Sequence, residues 1–328
     1  MIVFGCNDVG PANYLAELVK EFNESIVIPS DLNKHIFKNY IFKTLEEGLK
    51  LNPKVIITGT SNSKFTKNID KQLINYANEN SIKCISVIEH WSWYKKRFQL
   101  DDKLLLPNYI LVNDQTAYID ALKDGLPQNK LKILGNPYLE KISQNSIIYK
   151  DIEKVKKKYN LPKNKRIIFF ISEELKKSFP ENSSHYLGYD EFKVLETIKN
   201  NHLKSSDHLV VKLHPEEDEK KYQYLLDYNI SVLNLCPLKD IVNLADTVIG
   251  MASMLLLEIA IYRNDVISFR PKPLKNFIGQ KLGVINDITD EHGLSNALKF
   301  GVTASKSFRT NFLGSKKRII KFINEIIL

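Results

Sequence analysis

Short apolar runs recur along this 328-residue chain, and polar or glycine-containing turns separate them. Between these runs, apolar side chains recur at helical spacing, for example over 14–22, 34–51 and 68–80. Because strands that alternate with helices form parallel sheets with right-handed crossovers, the first half predicts one Rossmann-like α/β domain. In this half, the runs that predict strands span residues 2–4, 25–29, 54–61, 83–88, 109–114 and 132–138.

The same alternation returns after a stretch at 161–165 that contains proline and lysine and indicates a hinge. The chain is long enough for two domains of ordinary size, each with its own core. We therefore predict an α/β protein made of two Rossmann-like domains whose parallel sheets face a central cleft. In the second half, strands are predicted at 166–171, 209–213, 230–233, 246–250 and 266–269, and an apolar helix at 254–262.

Two polar positions of the second half follow strands, where open α/β sheets bind their ligands. His214 and Pro215 end the strand at 209–213, and Ser253 opens the helix after the strand at 246–250. A helix start offers free N–H groups to an anion, so the combination predicts a phosphate site. Taken singly, each has an ordinary explanation, because His before Pro is common in loops and Ser is a frequent N-cap.

The sequence around these positions resembles motifs of known transferases. Residues 211–215, Val-Lys-Leu-His-Pro, are similar to the KLHP motif of the polysialyltransferase-like and CDP-glycerol glycerophosphotransferase-like families. Residues 244–260 are similar to the ADxxIxxxSSxxxE block of the same families. Ala252 stands where many relatives have a second hydroxyl residue, a departure that puts one expected phosphate contact in doubt.

The resemblance implies a binding site for the nucleotide of an activated donor. His214 and Ser253 would bind its phosphates, with Lys212 and Pro215 beside them in the motif, and Glu258 would meet the ribose. The implied activity is that of an inverting, metal-independent glycosyltransferase of the Leloir type, which builds bacterial surface polysaccharides such as capsule or lipopolysaccharide. It would move a sugar from a CMP-linked nonulosonic acid, or else from a UDP- or CDP-linked donor, to a glycan or lipid-linked acceptor.

The resemblance also implies the GT-B fold and a division of the chain. Residues 1–150 would form an acceptor-side Rossmann-like domain, and residues 163–314 a domain that binds the nucleotide sugar. The apolar residues over 318–328 recur at helical spacing. In GT-B proteins the last helix crosses back to the first domain, so the segment 315–328 is expected to do the same.

The most unusual stretch of the first half, residues 89–98, follows a predicted strand and contains both tryptophans. Aromatic faces predict a platform for a sugar ring, and a carboxylate partly enclosed by them should have a raised pKa, suited to a general base. The alternative is an aromatic lid with solvated lysines. The stretch is similar to an acid-His-Trp-x-x-Tyr-x-x-Arg-Phe block of polysaccharide-biosynthesis transferases, with Glu89 where Asp is expected. Its candidates are Glu89 or His90 as the base and Trp91, Trp93 and Arg97 as acceptor-binding side chains.

Two other strand ends carry candidates with ordinary alternatives. Asn7 and Asp8 follow the first strand and are expected to meet the acceptor or the departing phosphate, Asn7 as an acceptor-binding residue and Asp8 as a catalytic one, or else simply to begin the next helix. Ser172 and Glu173 follow the strand at 166–171, where a nucleotide contact and an ordinary loop are equally consistent with the sequence.

Charge and cysteine content narrow the class of protein. A net charge of +9 favours an anionic glycan or the inner face of the cytoplasmic membrane as a partner, or reflects solvated lysine faces. The start lacks a basic leader and no apolar run is long enough for a bilayer, so a cytoplasmic enzyme is expected. Three distant cysteines predict no structural zinc, and the chain has no D-x-D pair suited to a catalytic metal. No cofactor and no nucleic-acid partner are expected.

Two other functions remain open. A nucleotide-sugar epimerase of the same fold would use carboxyl groups without an acceptor. A non-catalytic protein that binds anionic glycans or nucleic acid would explain the basic charge, and its affinity would fall steeply with salt. The aromatic residues cluster at one strand end and do not follow a basic groove, which argues against a binding protein.

Overall fold

A computed structural model describes residues 1–61, 68–100, 103–215, 217–226, 229–274 and 276–327. The chain divides into two compact units. The first unit consists of Met1–Lys141 and Asn311–Leu328, and the second of Ile142–Thr310. Of the predicted C-terminal segment 315–328, Leu328 lies outside the described residues.

The elements alternate as the sequence predicts, and their bounds are as follows. The strands of the first unit are β1 (Ile2–Cys6), β2 (Ser25–Pro29), β3 (Val55–Thr58), β4 (Lys83–Ile88), β5 (Gln99–Leu100), β6 (Lys103–Leu104), β7 (Tyr109–Val112) and β8 (Leu131–Ile133). The helices are α1 (Val9–Val19), α2 (Leu45–Leu49), α3 (Ile69–Glu79), α4 (Gln115–Lys123) and α5 (Pro137–Gln144).

The second unit continues the alternation. Its elements are α6 (Ile152–Lys158), β9 (Arg166–Ile171), α7 (Leu175–Ser178), α8 (Glu191–Thr197), β10 (Asp207–Lys212), β11 (Ile230–Leu233), α9 (Leu238–Leu244), β12 (Thr247–Gly250), α10 (Met254–Ala260), β13 (Ile267–Phe269), α11 (Ile278–Leu282), β14 (Asn286–Ile288) and α12 (Glu291–Phe300). The last helix is α13 (Ser315–Ile327). Short 3-10 or π turns lie at Lys96–Phe98, Gln128–Lys130, Ile198–His202 and Glu219–Leu225.

Each unit is built on a six-stranded sheet whose strand pairs are all parallel. The order in the first unit is β2-β1-β3-β4-β7-β8, and β5 pairs antiparallel with β6 apart from this sheet. The order in the second unit is β11-β10-β9-β12-β13-β14. The prediction of two Rossmann-like α/β domains with parallel sheets is confirmed.

Apolar side chains between each sheet and its helices form the two cores. Full burial of one such side chain contributes about 1.5–3 kcal/mol to folding. In the first unit the core includes Phe4, Leu15, Ile57 and Val87, and in the second unit it includes Ile168, Phe170, Val211 and Ile249.

Helix α13 belongs to the first core. Its Ile319 and Ile323 side chains are fully buried there, and the ring of Phe322 meets Tyr109 edge-on at 5.2 Å between centroids. Burial against this core explains why isoleucines recur at helical spacing in the last segment. Within the described ranges, no helix combines the length and apolarity needed to cross a membrane.

The helix predicted over 34–51 forms only in part, since turns precede the short α2. Pairing of the main chain around Phe42 with β2 accounts for the difference. The N–H of Val27 donates to the carbonyl of Ile41 at 2.9 Å, and the N–H of Lys43 donates to the carbonyl of Val27 at 2.9 Å. These bonds hold residues 41–43 in an extended conformation and interrupt the helix. Helix α2 begins only where Thr44 provides a capping box.

Candidate functional site

The strand order of each sheet reverses once, and in open α/β sheets the ligand crevice lies outside the carboxyl ends at that reversal. In the first unit the reversal lies between β1 and β3, which end at Cys6 and Thr58. In the second unit it lies between β9 and β12, which end at Ile171 and Gly250. Most of the predicted candidate residues lie in loops after these strands or their neighbours, whereas Lys212 is the last residue of β10 and Glu258 lies within α10.

The register of the second sheet places the loops of His214 and Ser253 on the same edge. Ile171 of β9 pairs with Lys212 of β10 on one side and with Gly250 of β12 on the other. Because neighbouring strands lie about 4.8 Å apart, the two loops leave the sheet about 10 Å from each other. The residues that follow β9 leave the sheet between them.

A buried carboxylate holds the loop after β10. Oε2 of Glu217 accepts the main-chain N–H of His214 at 2.6 Å. Oε1 of Glu217 accepts Ser172 Oγ at 2.8 Å and the ammonium of Lys221 at 2.5 Å, and Ser172 also bonds to the Tyr222 hydroxyl at 2.7 Å. Ser172 is only 1% exposed, so its hydroxyl orders this loop, which favours the alternative of an ordinary loop; its contact with a nucleotide stays a prediction.

The other residue after β9, Glu173, contacts the turn before α10. Its carboxylate accepts the main-chain N–H of Ala252 at 2.8 Å. Burial raises the pKa of Glu173 to about 7, although the bond from Ala252 opposes this shift. Ser253 is the N-cap of α10, and its Oγ accepts the N–H of Leu255 at 3.2 Å. The turn and the end of β9 are therefore joined by a group that can change its charge near neutral pH.

The remaining donor-site candidates differ in exposure. Lys212 is 7% exposed and donates to the carbonyl of the next residue at 2.5 Å, and burial lowers its pKa. Pro215 is exposed, and Glu258 is half-buried on α10. The sequence reasoning missed Arg270, which follows β13 on the same edge, is 1% exposed and forms an ion pair with Asp287 at 2.5 Å. Its position directly after an apolar strand is the one signal that could have indicated it.

In the first unit, Glu89 follows β4 and is 15% exposed. Its Oε1 lies 3.9 Å from the guanidinium of Arg97, and its Oε2 has no hydrogen-bond partner in the described part of the chain. Burial raises the pKa of Glu89, and Arg97 opposes this shift. His90 bonds to Ser92 Oγ at 2.9 Å, and burial, followed by the charge of Arg97, lowers its pKa to about 3. Of the two predicted bases, Glu89 is therefore the more basic.

A second carboxyl group at this edge, Asp70 on α3, was not singled out from the sequence. It is 1% exposed, and neither of its oxygens has a hydrogen-bond partner among the described residues. Burial, and then the nearby charge of Asp8, raise the pKa of Asp70 well above its usual range, although the nearby main-chain N–H of Asn7 opposes this shift. The packing here is close, since a Cβ on Gly59 would lie 3.1 Å from Asp70 Oδ1. Asp70 was not singled out because an acidic residue in the first turn of a helix is commonly explained by its interaction with the helix dipole.

The two tryptophans have different environments. Trp91 is 5% exposed, donates its indole N–H to Asp114 at 2.8 Å and meets Phe312 edge-on at 6.4 Å between centroids. The ring of Trp91 therefore packs in the interior of the first unit, and its contact with a sugar stays a prediction. Trp93 is 37% exposed, with the ammonium of Lys96 lying 4.4 Å from its ring centroid, and it stays a candidate.

The side chains of the last three candidates in the first unit form hydrogen bonds within that unit. Arg97 is 7% exposed and donates to the carbonyls of Ser92 at 3.0 Å and Thr60 at 3.1 Å. Asn7 donates to the Asp8 carboxylate at 2.9 Å. Asp8 stands at the N-cap position of α1, yet its side chain makes no capping bond, so helix entry does not explain its carboxylate.

Thiols and metal ligands add no further chemistry here. Cys6, Cys84 and Cys236 are buried and form no disulfide. Burial raises the pKa of Cys84 to about 12 and that of Cys236 to about 11, which makes both thiols unreactive. Over the ranges that the structure covers, no three His, Cys, Asp or Glu side chains are grouped to hold a metal ion.

Comparison with known proteins finds similarity in structure but not in sequence. No protein-family model matches the chain, and no curated protein is significantly similar to it. UDP-GlcNAc 2-epimerase from Neisseria meningitidis, bound to UDP-GlcNAc, has a TM-score of 0.68 at 12% identity over 99% of both chains. The enzyme from Methanocaldococcus jannaschii, in complex with UDP-GlcNAc and UDP, has a TM-score of 0.65 at 14% identity over 99% of both chains. HepE from Anabaena, in complex with UDP-glucose, has a TM-score of 0.62 at 11% identity over 99% of this chain and 98% of that chain.

These comparisons correct the predicted activity. They confirm a two-domain, GT-B-like architecture, but they give no support to a polysialyltransferase-like or CDP-glycerol transferase-like family. The prediction of a glycosyltransferase with a CMP-linked donor is wrong, because the similar structures include several UDP-GlcNAc 2-epimerases and favour the alternative that the sequence left open.

Proposed function

We propose that this chain is a nucleotide-sugar epimerase that acts on a UDP-linked N-acetylhexosamine such as UDP-GlcNAc. The observation that carries the proposal is the presence of two enclosed carboxyl groups, Glu89 and Asp70, with unsatisfied oxygens at one sheet edge. Buried polar groups in proteins nearly all have partners, so such a pair calls for a ligand or a chemical role. The similar structures that contain UDP-GlcNAc or UDP-glucose favour a UDP-sugar as that ligand.

The chemistry of inversion at C2 defines the groups that are needed. The C2 proton of such a sugar is not acidic, because C2 carries no carbonyl group. Its removal becomes feasible when the C1–O bond to UDP breaks, so that the C2–H electron pair forms a C1=C2 double bond and UDP departs with the C1–O pair. Return of UDP to C1, with a proton delivered to the opposite face of C2, gives the epimer. The enzyme therefore needs a proton acceptor, a proton donor and hydrogen-bond donors for phosphate.

The candidate residues match these three requirements. Glu89 is suited to accept the C2 proton, because its raised pKa makes it a stronger base than an exposed carboxylate. Asp70, whose pKa is also raised, is suited to carry the proton that is returned. Under this proposal His214 and Ser253 of the second unit bind the UDP phosphates, where negative charge grows as the C1–O bond breaks.

Incubation of the protein with UDP-GlcNAc alone tests the proposal. The proton NMR spectrum should show the C2 epimer, UDP-N-acetylmannosamine, forming without any acceptor. UDP-glucose serves as the control sugar, because at C2 it carries an equatorial hydroxyl in place of the acetamido group. UDP-GlcNAc that stays unchanged, or UDP that is released only when a glycan acceptor is added, would count against an epimerase.

A further inference from the structure

We propose that Glu217 is a positioning residue that holds the His214 loop in the conformation that binds the nucleotide phosphate. This role rests on the proposed function, since it presumes that a UDP-sugar binds at the carboxyl edge of the second sheet. Neither the motif resemblance nor the similar structures assign any role to Glu217.

The contacts of Glu217 fix the main chain at His214 from both sides. The N–H of Glu217 donates to the carbonyl of His214 at 3.0 Å, while the Glu217 carboxylate accepts the N–H of His214 at 2.6 Å. These two bonds close a turn directly after β10. The side chain of Glu217 is 0% exposed and is anchored by Lys221 at 2.5 Å and Ser172 at 2.8 Å. One carboxylate thus sets the direction in which the His214 main chain leaves the sheet.

Such anchoring matters for binding because a mobile loop must be ordered when the ligand arrives. The free energy lost in ordering is subtracted from the affinity, whereas a loop that is already held avoids this loss. The bond between Glu217 and His214 also has a charged acceptor, and bonds of this kind are stronger than those between neutral groups.

Glu191 offers a matched control within the same network. Its side chain is 1% exposed, one oxygen accepts the same Lys221 ammonium at 2.5 Å, and the other accepts the main-chain N–H of Lys176 at 2.8 Å. Both carboxylates therefore join Lys221 to one main-chain N–H, but only Glu217 contacts His214. Glutamine in either place removes the negative charge that Lys221 contacts. Its carbonyl oxygen can still accept the main-chain N–H, but as a neutral and therefore weaker acceptor.

The test compares Glu217→Gln with Glu191→Gln. UDP affinity is measured by titration calorimetry, and exchange of the His214 amide by hydrogen–deuterium exchange. We expect Glu217→Gln to weaken UDP binding about tenfold and to speed exchange of the His214 amide about tenfold, the scale of replacing a charged hydrogen-bond acceptor by a neutral one. Glu191→Gln should leave UDP affinity and His214 exchange near the wild-type values, although its melting temperature should fall by about as much as that of Glu217→Gln.

Equal effects of the two substitutions, or unchanged UDP affinity in Glu217→Gln, would overturn the inference. The wild-type protein distinguishes this failure from that of the proposed function. If the wild type binds no UDP, the proposed function fails and the inference fails with it. If the wild type binds UDP and the two variants behave alike, only the role of Glu217 is removed.

Discussion

The carboxyl edges of the two sheets differ in how their acidic side chains are bonded. At the second edge, Glu217 and Glu191 share the ammonium of Lys221, and each also accepts a main-chain N–H. At the first edge, neither oxygen of Asp70 and only one oxygen of Glu89 has a partner within the described part of the chain.

This difference separates carboxyl groups that support loops from those that can transfer protons. A carboxylate that accepts hydrogen bonds from a lysine and from main-chain N–H groups stays charged, bonds strongly to them and fixes the conformation of the chain around it. An enclosed carboxyl group without a lysine partner has a raised pKa, as in Glu89 and Asp70 of the first edge and also in Glu173 of the second. We infer that Glu217 and Glu191 hold loops of the second edge, whereas Glu89 and Asp70 of the first edge are suited to proton transfer.

Replacement of Glu89 by Gln tests the first edge and should have the largest effect. The amide cannot accept the C2 proton, so we expect the epimerisation rate to fall by about 100- to 10,000-fold, the usual range for one acid–base group. UDP affinity should stay close to that of the wild type. Steady-state kinetics and titration calorimetry measure the two quantities separately.

Glu17→Gln is the control for this experiment. Glu17 is a buried carboxylate of the same unit, but it is paired with Lys20 at 2.7 Å and with Lys141 at 2.5 Å. Its replacement should lower the melting temperature and leave the rate of the folded protein nearly unchanged. The contrast between the two kinds of carboxylate would be lost if both variants kept, or both lost, their activity.

Glu173 should give the next largest effect, on stability as a function of pH. Its folded pKa of about 7 lies above the ordinary value of 4.5, so the folded state is favoured below pH 4.5 and loses this advantage as pH rises towards 7. Glu173→Gln stays neutral and can still accept the N–H of Ala252. At pH 8 we expect the variant to be more stable than the wild type by at most about 3 kcal/mol, because solvent reaches part of this side chain.

Urea unfolding of the wild type and of Glu173→Gln at pH 4 and pH 8 measures this difference. The two proteins should have nearly the same stability at pH 4. A difference in stability that does not change between these pH values would show that the carboxyl group titrates normally.

His214→Ala tests phosphate binding at the second edge. Loss of a hydrogen bond to a charged ligand should weaken UDP affinity by about ten- to a hundredfold. His185→Ala is the control, because His185 is an exposed histidine of the same unit. Similar affinities in the two variants would exclude a direct role for His214.

Ser253→Ala should have the smallest effect. Loss of the bond that caps α10 should destabilise the protein by about 1 kcal/mol. Under the proposed function the hydroxyl also contacts phosphate, so UDP binding should weaken as well. Thr44→Ala removes the N-cap of α2 in the first unit and should change stability alone. Chemical denaturation and calorimetry on both variants distinguish a cap from a ligand contact.

The strands could be predicted because their signal is local. Runs such as that of β9 are apolar on both faces of a parallel sheet, and the polar residues that follow them mark the carboxyl edge. The helix predicted over 34–51 forms only in part because residues 41–43 pair with Val27 of β2, a contact that spacing does not reveal.

The bonding of the candidate side chains could not be predicted because it depends on contacts between distant positions. Glu173 meets Ala252, a residue 79 positions away, and Trp91 meets Asp114, which is 23 positions away. Asp70 looked like an ordinary acid in a first helical turn until the fold enclosed it. Residue type and spacing located the edges, but packing determined which carboxyl groups were left without partners.

The most direct measurement is the incorporation of deuterium at C2 when UDP-GlcNAc is incubated with the wild-type protein in D₂O. We expect the C2 epimer to form with deuterium in place of its C2 proton, and Glu89→Gln to abolish this exchange. UDP-GlcNAc that keeps both its C2 proton and its configuration, in a protein shown to bind UDP, would contradict proton transfer by the first edge.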